Sequence, residues 1–238
     1  MRDPDLKSAF VLGLFIFLGL AALGFLTGSS AIKFKQFDRT VTVKGLSERE
    51  YPADIALWPI QFSAADNDLT RLYESIENDA NEIVAYLKAN GFEKNEITKS
   101  PPGIMDKLAQ GYEKSRIEFR YSATQTITVY SQKIETVRST MNNISELLKK
   151  GVVLAAGDYQ NATEYLFTRL NEIKPGMVEE ATMKAREVAE KFAKDSNSRL
   201  GKIRKATQGQ FSITDRDKNN PHIKKIRVVS TLEYYLSD

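Results

Sequence analysis

The sequence predicts an α+β fold: an antiparallel or mixed sheet with helices packed on one face, behind a single N-terminal transmembrane helix. Three observations predict it. Apolar residues recur at spacings of three and four in long segments; they alternate with polar residues in the shorter segments between; and the first apolar segment carries no charge at all. In chain order the elements read as two β-α-β units, then a long helix and a C-terminal hairpin. The predicted organisation is a short tail over residues 1–8, an anchor and joint over residues 9–30, and one folded α+β domain over residues 31–238.

Ala9 to Leu26 reads AFVLGLFIFLGLAALGFL, and no charged residue stands between Lys7 and Lys33. Eighteen residues at about 1.5 Å each cover roughly 27 Å, close to the hydrocarbon thickness of a bilayer. Gly13, Gly19 and Gly24 would be costly in a soluble helix and are ordinary in a spanning one. They are not spaced as a Gly-x-x-x-Gly pair, so these three give no motif for helix pairing. A cleaved signal peptide is the competing reading, with Ser29-Ser30-Ala31 as a small-residue cleavage site. The apolar run exceeds the usual signal core of about 7–15 residues, and the leader is only weakly basic, so a retained anchor is expected. Arg2 and Lys7 flank one end, with Asp3 and Asp5; Lys33, Lys35 and Arg39 flank the other. These flanking charges do not by themselves place the N-terminus in the cytoplasm.

Beyond the joint at Thr27 to Ser30, Thr40 to Lys44 alternates and is rich in β-branched residues, a strand ended by Gly45. Tyr51 to Ser63 is a second extended run, in which Pro59 implies an edge position or a bulge. A first helix spans Asp68 to Asn90, with the stripe Leu69, Leu72, Ile76, Ala80, Ile83 and Leu87 and a stop at Asn90-Gly91. Ile97 to Lys99 starts a short strand before the turn Pro101-Pro102-Gly103. Phe119 to Tyr130 has a period of two, with Phe119, Tyr121, Ala123, Gln125, Ile127 and Val129 on one face and a polar other face. A second helix covers Lys133 to Lys150, with Ile134, Val137, Met141, Ile144 and Leu148 inward and Gly151 at its end. Asn161 to Leu170 is a strand candidate. The third helix, entered after Pro175-Gly176, is expected over Met177 to Ala206, with Val178, Ala181, Ala185, Val188, Ala189 and Phe192 as its apolar seam and Ala181, Ala185, Ala189 and Ala193 forming a ridge that permits close approach. Gln208 to Ile213 and Ile226 to Leu236 close the chain as strands joined by the polar loop Asp215 to Pro221.

Composition narrows the chemistry. With 34 basic and 31 acidic residues the net charge is +3, which does not indicate a nucleic-acid partner. There is no cysteine, hence no disulfide, thiol nucleophile, thiolate metal site or lipid-attachment cysteine. The one histidine, His222, follows Pro221 in the polar loop and reads as an exposed bystander. Asp215-Arg216-Asp217-Lys218-Asn219 resembles the start of a calcium loop but continues with Asn220, Pro221 and Ile226 where glycine and a bidentate glutamate belong. Helical carboxylates such as Glu77, Asp79 and Glu82 sit among lysines as a solvated face. Asp54, in the apolar run Ala53 to Leu57, reads as a turn carboxylate satisfied by backbone donors. No catalytic constellation stands out. The expectation is a protein that is not an enzyme, with no cofactor, metal or identifiable small-molecule ligand.

Several segments taken in order carry a resemblance. Thr40-Val-Thr-Val-Lys-Gly45 followed by Glu50-Tyr-Pro-Ala-Asp54, the strand Tyr121-Ser-Ala-Thr-Gln-Thr-Ile-Thr-Val129, and the alanine-stepped helix Glu180 to Ala193 with Leu200-Gly201 together resemble the SIMPL domain family. The resemblance runs from about Thr40 to Tyr235. It implies an α+β domain of bacterial envelopes, similar to periplasmic immunogenic proteins, that can assemble into large hollow or channel-like homo-oligomers, with a stress-related role in some members. It implies no catalytic residues.

The first functional expectation is therefore an anchored protein of the bacterial inner membrane, single-pass, with its C-terminal domain periplasmic. It would hold lipid through residues 9–26 and self-assemble into a homo-oligomeric scaffold. Trp58-Pro59 on a strand edge and Tyr234-Tyr235 are the candidate contacts, although each fits a core position equally well. The alternative is a periplasmic binding module for a peptide, lipid or envelope protein. A hydrolase built on Asp54 or Glu118 is a third.

Overall fold

The computed structural model describes residues 6–36, 39–111, 118–155 and 162–237. They form an α+β fold with two antiparallel sheets, where a single sheet was expected. The chain makes two compact units. The first holds Met1–Glu48, Lys174–Phe211 and Arg227–Asp238; the second holds Arg49–Ile173 and Ser212–Ile226. Helix α1 (Leu6–Gln36) precedes the strands β1 (Thr40–Pro52) and β2 (Ile55–Asp66). Helix α2 (Leu69–Ala89), a 3-10 turn at Lys94–Glu96 and strands β3 (Ile97–Lys99), β4 (Gly103–Asp106) and β5 (Tyr121–Ser131) follow. Then come α3 (Ile134–Asn142), α4 (Ser145–Lys149), β6 (Glu164–Leu166), α5 (Leu170–Asp195), β7 (Arg199–Gln208), β8 (Ser212–Asp215) and β9 (Ile223–Ser237).

The second unit is built on a sheet of order β3-β5-β2-β6, with β4 also on β5. Its two β-α-β units, β2-α2-β3 and β5-α3-α4-β6, interleave so that each pair of parallel strands is split by a strand of the other, a split β-α-β arrangement. β2 and β5 pair from Ala56 opposite Ser131 to Asp66 opposite Tyr121. β3 and β4 lie in succession along one edge of β5, opposite residues 127–129 and 121–124. They amount to one edge strand interrupted where Pro101 and Pro102 cannot donate to the ladder. β2 lies between β5 and β6 and not at the edge of the sheet, but among the described residues nothing pairs with Pro59 on the β6 side: β6 reaches only Leu57, and the bridge to Leu154 begins at Phe62.

Packing follows the periods. Ala123, Gln125, Ile127 and Val129 of β5 and Ala56, Trp58, Ile60 and Phe62 of β2 are buried on the face that the helices cover. Asp68 caps α2 by accepting from the N–H groups of Thr70 (2.8 Å) and Arg71 (3.0 Å). Its buried face is Leu72, Ile76, Ala80, Ile83, Tyr86 and Leu87, while Leu69 is exposed. Gly91, at φ +90, ends it in the left-handed region that a side chain rarely adopts. The second predicted helix is two, α3 and α4. The break at Asn143 and Ile144 resets the phase, so Leu147 is buried and Leu148 is exposed, the reverse of the expectation. The expected strand over Asn161 to Leu170 is confined to Glu164–Leu166; Asn161 lies outside the described residues.

The first unit has the strand order β1-β9-β7, and β8 also pairs with β9. Helix α5 lies on its sheet with Ala181, Ala185, Ala189 and Ala193 all buried, as the ridge predicts, whereas Val188 and Phe192 of the expected seam are exposed. Gly45 does not end β1 but sits within it. A Cβ there would stand 1.8 Å from the carbonyl oxygen of Ala181 and 2.5 Å from the backbone nitrogen of Ala185. The alanine ridge and the glycine are two halves of one close approach. Pro175 lies inside α5, not before it, and the helix stops at Asp195, not Ala206. Asn197, at φ 53, turns the chain out, with Ser198 N–H donating to the Ala193 carbonyl at 2.8 Å. Arg199–Gln208 is then a strand that pairs with β9.

Candidate functional site

Asp54 lies in the turn between β1 and β2, and its side chain is 16% exposed. Both carboxylate oxygens accept from the Thr168 N–H (2.9 and 3.0 Å), one accepts from the Thr168 hydroxyl (2.9 Å), and the same oxygen accepts from Arg169 Nε at 3.3 Å. Burial works to raise its pKa, but the bonds from Thr168 and Arg169 outweigh it and hold the carboxyl below its usual value. Its own N–H donates to the Leu166 carbonyl, and the Ala53 N–H donates to that of His222. Arg169 lies 5.6 Å from the centre of the Phe167 ring, which Tyr51 flanks at 5.6 Å. The Pro52-Ala53-Asp54 segment is thus a clasp for the start of α5 and the β8–β9 loop. A carboxylate held by three donors of its own chain suits that role.

The second polar arrangement is an open groove of about 510 Å³ lined by Glu93, Asn95, Glu96, Tyr130, Ser131, Gln132 and Lys133. Glu96 accepts from the Ser131 hydroxyl (2.6 Å), Lys133 Nζ (3.1 Å) and the Glu93 N–H (2.8 Å). Burial again acts to raise its pKa and is outweighed by those three donors. Half-exposed Tyr130 forms a rim. Sequence reasoning missed this groove, because it joins the 3-10 turn to the far end of β5, thirty-five residues on. Asp79 on α2 moves the other way: burial raises its pKa.

In the β8–β9 loop Asp217 accepts from Arg216 Nε and from the N–H groups of Asn219 and Asn220, each at 2.9 Å. Arg216 is the main cause of its pKa being lowered to about 2. Asp215 pairs with Lys224, which is only 8% exposed. The loop's acids therefore serve its own turn, and among the described residues no three His, Asp or Glu side chains gather as metal ligands. His222 is half-buried rather than exposed. Its ring meets Tyr165 edge-on at 6.0 Å, and burial, followed by Arg138, lowers its pKa. Glu118, the other carboxylate singled out for a hydrolase, engages Asn67 through its backbone carbonyl.

Of the candidate contact residues, Trp58 and Tyr234 are each 4% exposed and belong to the cores of their units. Pro59 is half-buried and Tyr235 is exposed, with the Arg204 guanidinium 5.9 Å from its ring. Among the described residues, β1 and β7 each have β9 as their only strand neighbour, and β7 is exposed at every position but Leu200.

Phe10–Ser29 of α1 is long and apolar enough to cross a membrane, with a mean hydropathy of 2.5 and none of it buried. Gly24 and Gly28 are four apart with open space at both Cβ positions. That pair completes the Gly-x-x-x-Gly spacing that Gly13, Gly19 and Gly24 do not make, and it was legible in the sequence.

A family model described as SIMPL, protein of unknown function (DUF541), matches residues 41–226, more than three quarters of the chain. No curated protein matches it.

Proposed function

The chain belongs to the SIMPL family, and from that premise we propose that it is a non-catalytic protein anchored in a bacterial inner membrane by Phe10–Ser29. On this reading its two folded units stand on the periplasmic side and self-assemble into a large homo-oligomeric scaffold, hollow or channel-like. The observation that carries the assembly is the pair of unlike open edges, β1 and β7, on one sheet. Joining two unlike edges is a heterologous contact, and such contacts close into rings when the rotation allows. Gly24 and Gly28 supply a small-residue face through which copies of α1 can pack in the bilayer. A link to stress rests on the resemblance alone. The absolute mass of the full chain in mild detergent, measured by light scattering, tests the assembly. A mass of many protomers supports it, and a monomer persisting at high concentration overturns it.

A second reading, a periplasmic binding module, is favoured by the groove at Glu93, Tyr130 and Lys133. It predicts a small complex with a dissimilar chain and no ring. Substituting Tyr130 by alanine would then abolish that complex and leave the thermal melt of the free protein unchanged.

A further inference from the structure

We propose that the end of the first unit nearest α1 is a membrane-contact surface that takes anionic phospholipid headgroups. The proposal rests on the anchor reading and adds to it a lipid chemistry. Three pieces of chain meet at this end. The Leu236 N–H donates to the Arg39 carbonyl at 2.8 Å, Arg39 Nη2 donates to Ser198 Oγ at 3.3 Å, and Arg199 pairs with Ser237 in the β7–β9 ladder. The start of β1, the turn from α5 into β7 and the end of β9 are therefore one surface.

Chain length holds that surface near the bilayer. The apolar span ends at Ser29 and the helix continues to Gln36. Those seven residues rise about 10 Å. Gln36 to Arg39 adds at most about 11 Å, whatever path it takes. The headgroup layer is itself about 7 Å deep, so Arg39 stays within roughly two Debye lengths of the headgroups.

The chemistry at that end fits an anionic surface. Strand β7 begins at that end with Arg199 and carries Lys202, Arg204 and Lys205 farther along it, with no acidic residue, and all four are exposed. Glu233 of β9 engages Arg204 and stands opposite Lys205 in the ladder, while Lys194 at the end of α5 adds a further cation; in sequence the acids Asp38, Asp195 and Asp238 adjoin Arg39, Lys194 and Ser237. Phe192 lies in the last turn of α5, where its carbonyl accepts the Ser196 N–H, and it is 56% exposed. An exposed aromatic among lysines is the composition of a surface that rests in the interface. Clustered basic residues beside an anchor are attracted to anionic lipid, and the attraction is screened by salt.

The test uses the full chain in nanodiscs of phosphatidylcholine, with or without phosphatidylglycerol, under trace lysine acetylation read by mass spectrometry. Lys194, Lys202 and Lys205 are expected to react about three-fold more slowly or less in the anionic discs at low salt, with the difference lost in about 0.5 M salt. Lys174, exposed in the same unit at the start of α5 and about 30 Å along that helix from Lys194, serves as the control and should react alike in both. In a K202E/K205E variant, Lys194 should lose most of its protection. Equal reactivity in both kinds of disc, with the protein co-eluting with them, overturns the headgroup proposal and leaves the anchor standing; equal protection in both points to a second copy and also overturns it. A protein that does not co-elute with either disc overturns the anchor reading and this proposal with it.

Discussion

Asp54 shows how much one side chain does when its partners are far away in sequence. It is held by Thr168 and Arg169, more than a hundred residues on, and closes the turn between β1 and β2 against the start of α5. Replacing it by alanine leaves the Thr168 N–H and hydroxyl without their acceptor, and is expected to cost about 2 kcal/mol in urea unfolding. Its folded pKa lies below the unfolded value, so its contribution is fully present above about pH 4 and fades as the pH falls through the folded value. The difference between wild type and D54A should therefore shrink in melts below about pH 4. Gly45 is a steric case. An alanine there meets helix backbone and not the end of a flexible side chain, and G45A is expected to lose about 3 kcal/mol or fail to fold. The control is G176A, inside α5 with open space around it, which should gain about 0.5–1 kcal/mol by thermal melting.

Helix α5 is the element whose packing the sequence states most directly. Alanines every four residues are entirely buried, so the ridge is narrow because the sheet is close. Substituting Ala185 by leucine adds three carbons where the backbone of β1 is in contact, and should cost at least about 3 kcal/mol in chemical denaturation. Val188→Leu, at an exposed position of the same helix, should change stability by less than about 0.5 kcal/mol. The end of α5 is a different matter. Ser196, Asn197 and Ser198 are weak helix formers, yet the segment after them contains Leu200, Lys202, Arg204, Lys205 and Ala206, all compatible with helix. Only pairing with β9 makes it a strand, and its two register shifts near Ile203 show that the fit is irregular.

For the whole molecule the decisive question is whether α1 is retained. A helix of 31 residues with an apolar span of 20 exceeds a signal core, and the charge-free stretch is long enough to cross hydrocarbon. The intact mass of the protein extracted from membranes is expected to include Phe10–Ser29, and alkaline carbonate should not release it. A mature form beginning after Ala31 would identify a cleaved leader. If the anchor is retained, two constraints act together on the first unit: attachment within a few residues of α1, and open edges on β1 and β7.

What the sequence determined by itself was whatever depends on local periodicity. The limits of α2 came from a cap at Asp68 and a stop at Asn90-Gly91; the buried face of β5 came from strict alternation; β3 was legible as three residues before a proline pair; and the apolar span needed only length and charge. The ordered motifs were enough to name the family. At the candidate sites, Asp54 was legible as a satisfied carboxylate and Trp58 and Tyr234 as residues that fit a core, whereas the groove at Glu96 and Lys133 was not legible. Tertiary structure alone decided that there are two sheets, that Gly45 lies against Ala181 and not at a strand end, that α3 and α4 break phase, and that Arg199–Gln208 is extended. The physical reason is common to all of these: periodicity reveals that a residue has an apolar face to bury, but the partner that buries it is chosen by contacts between segments distant in the chain.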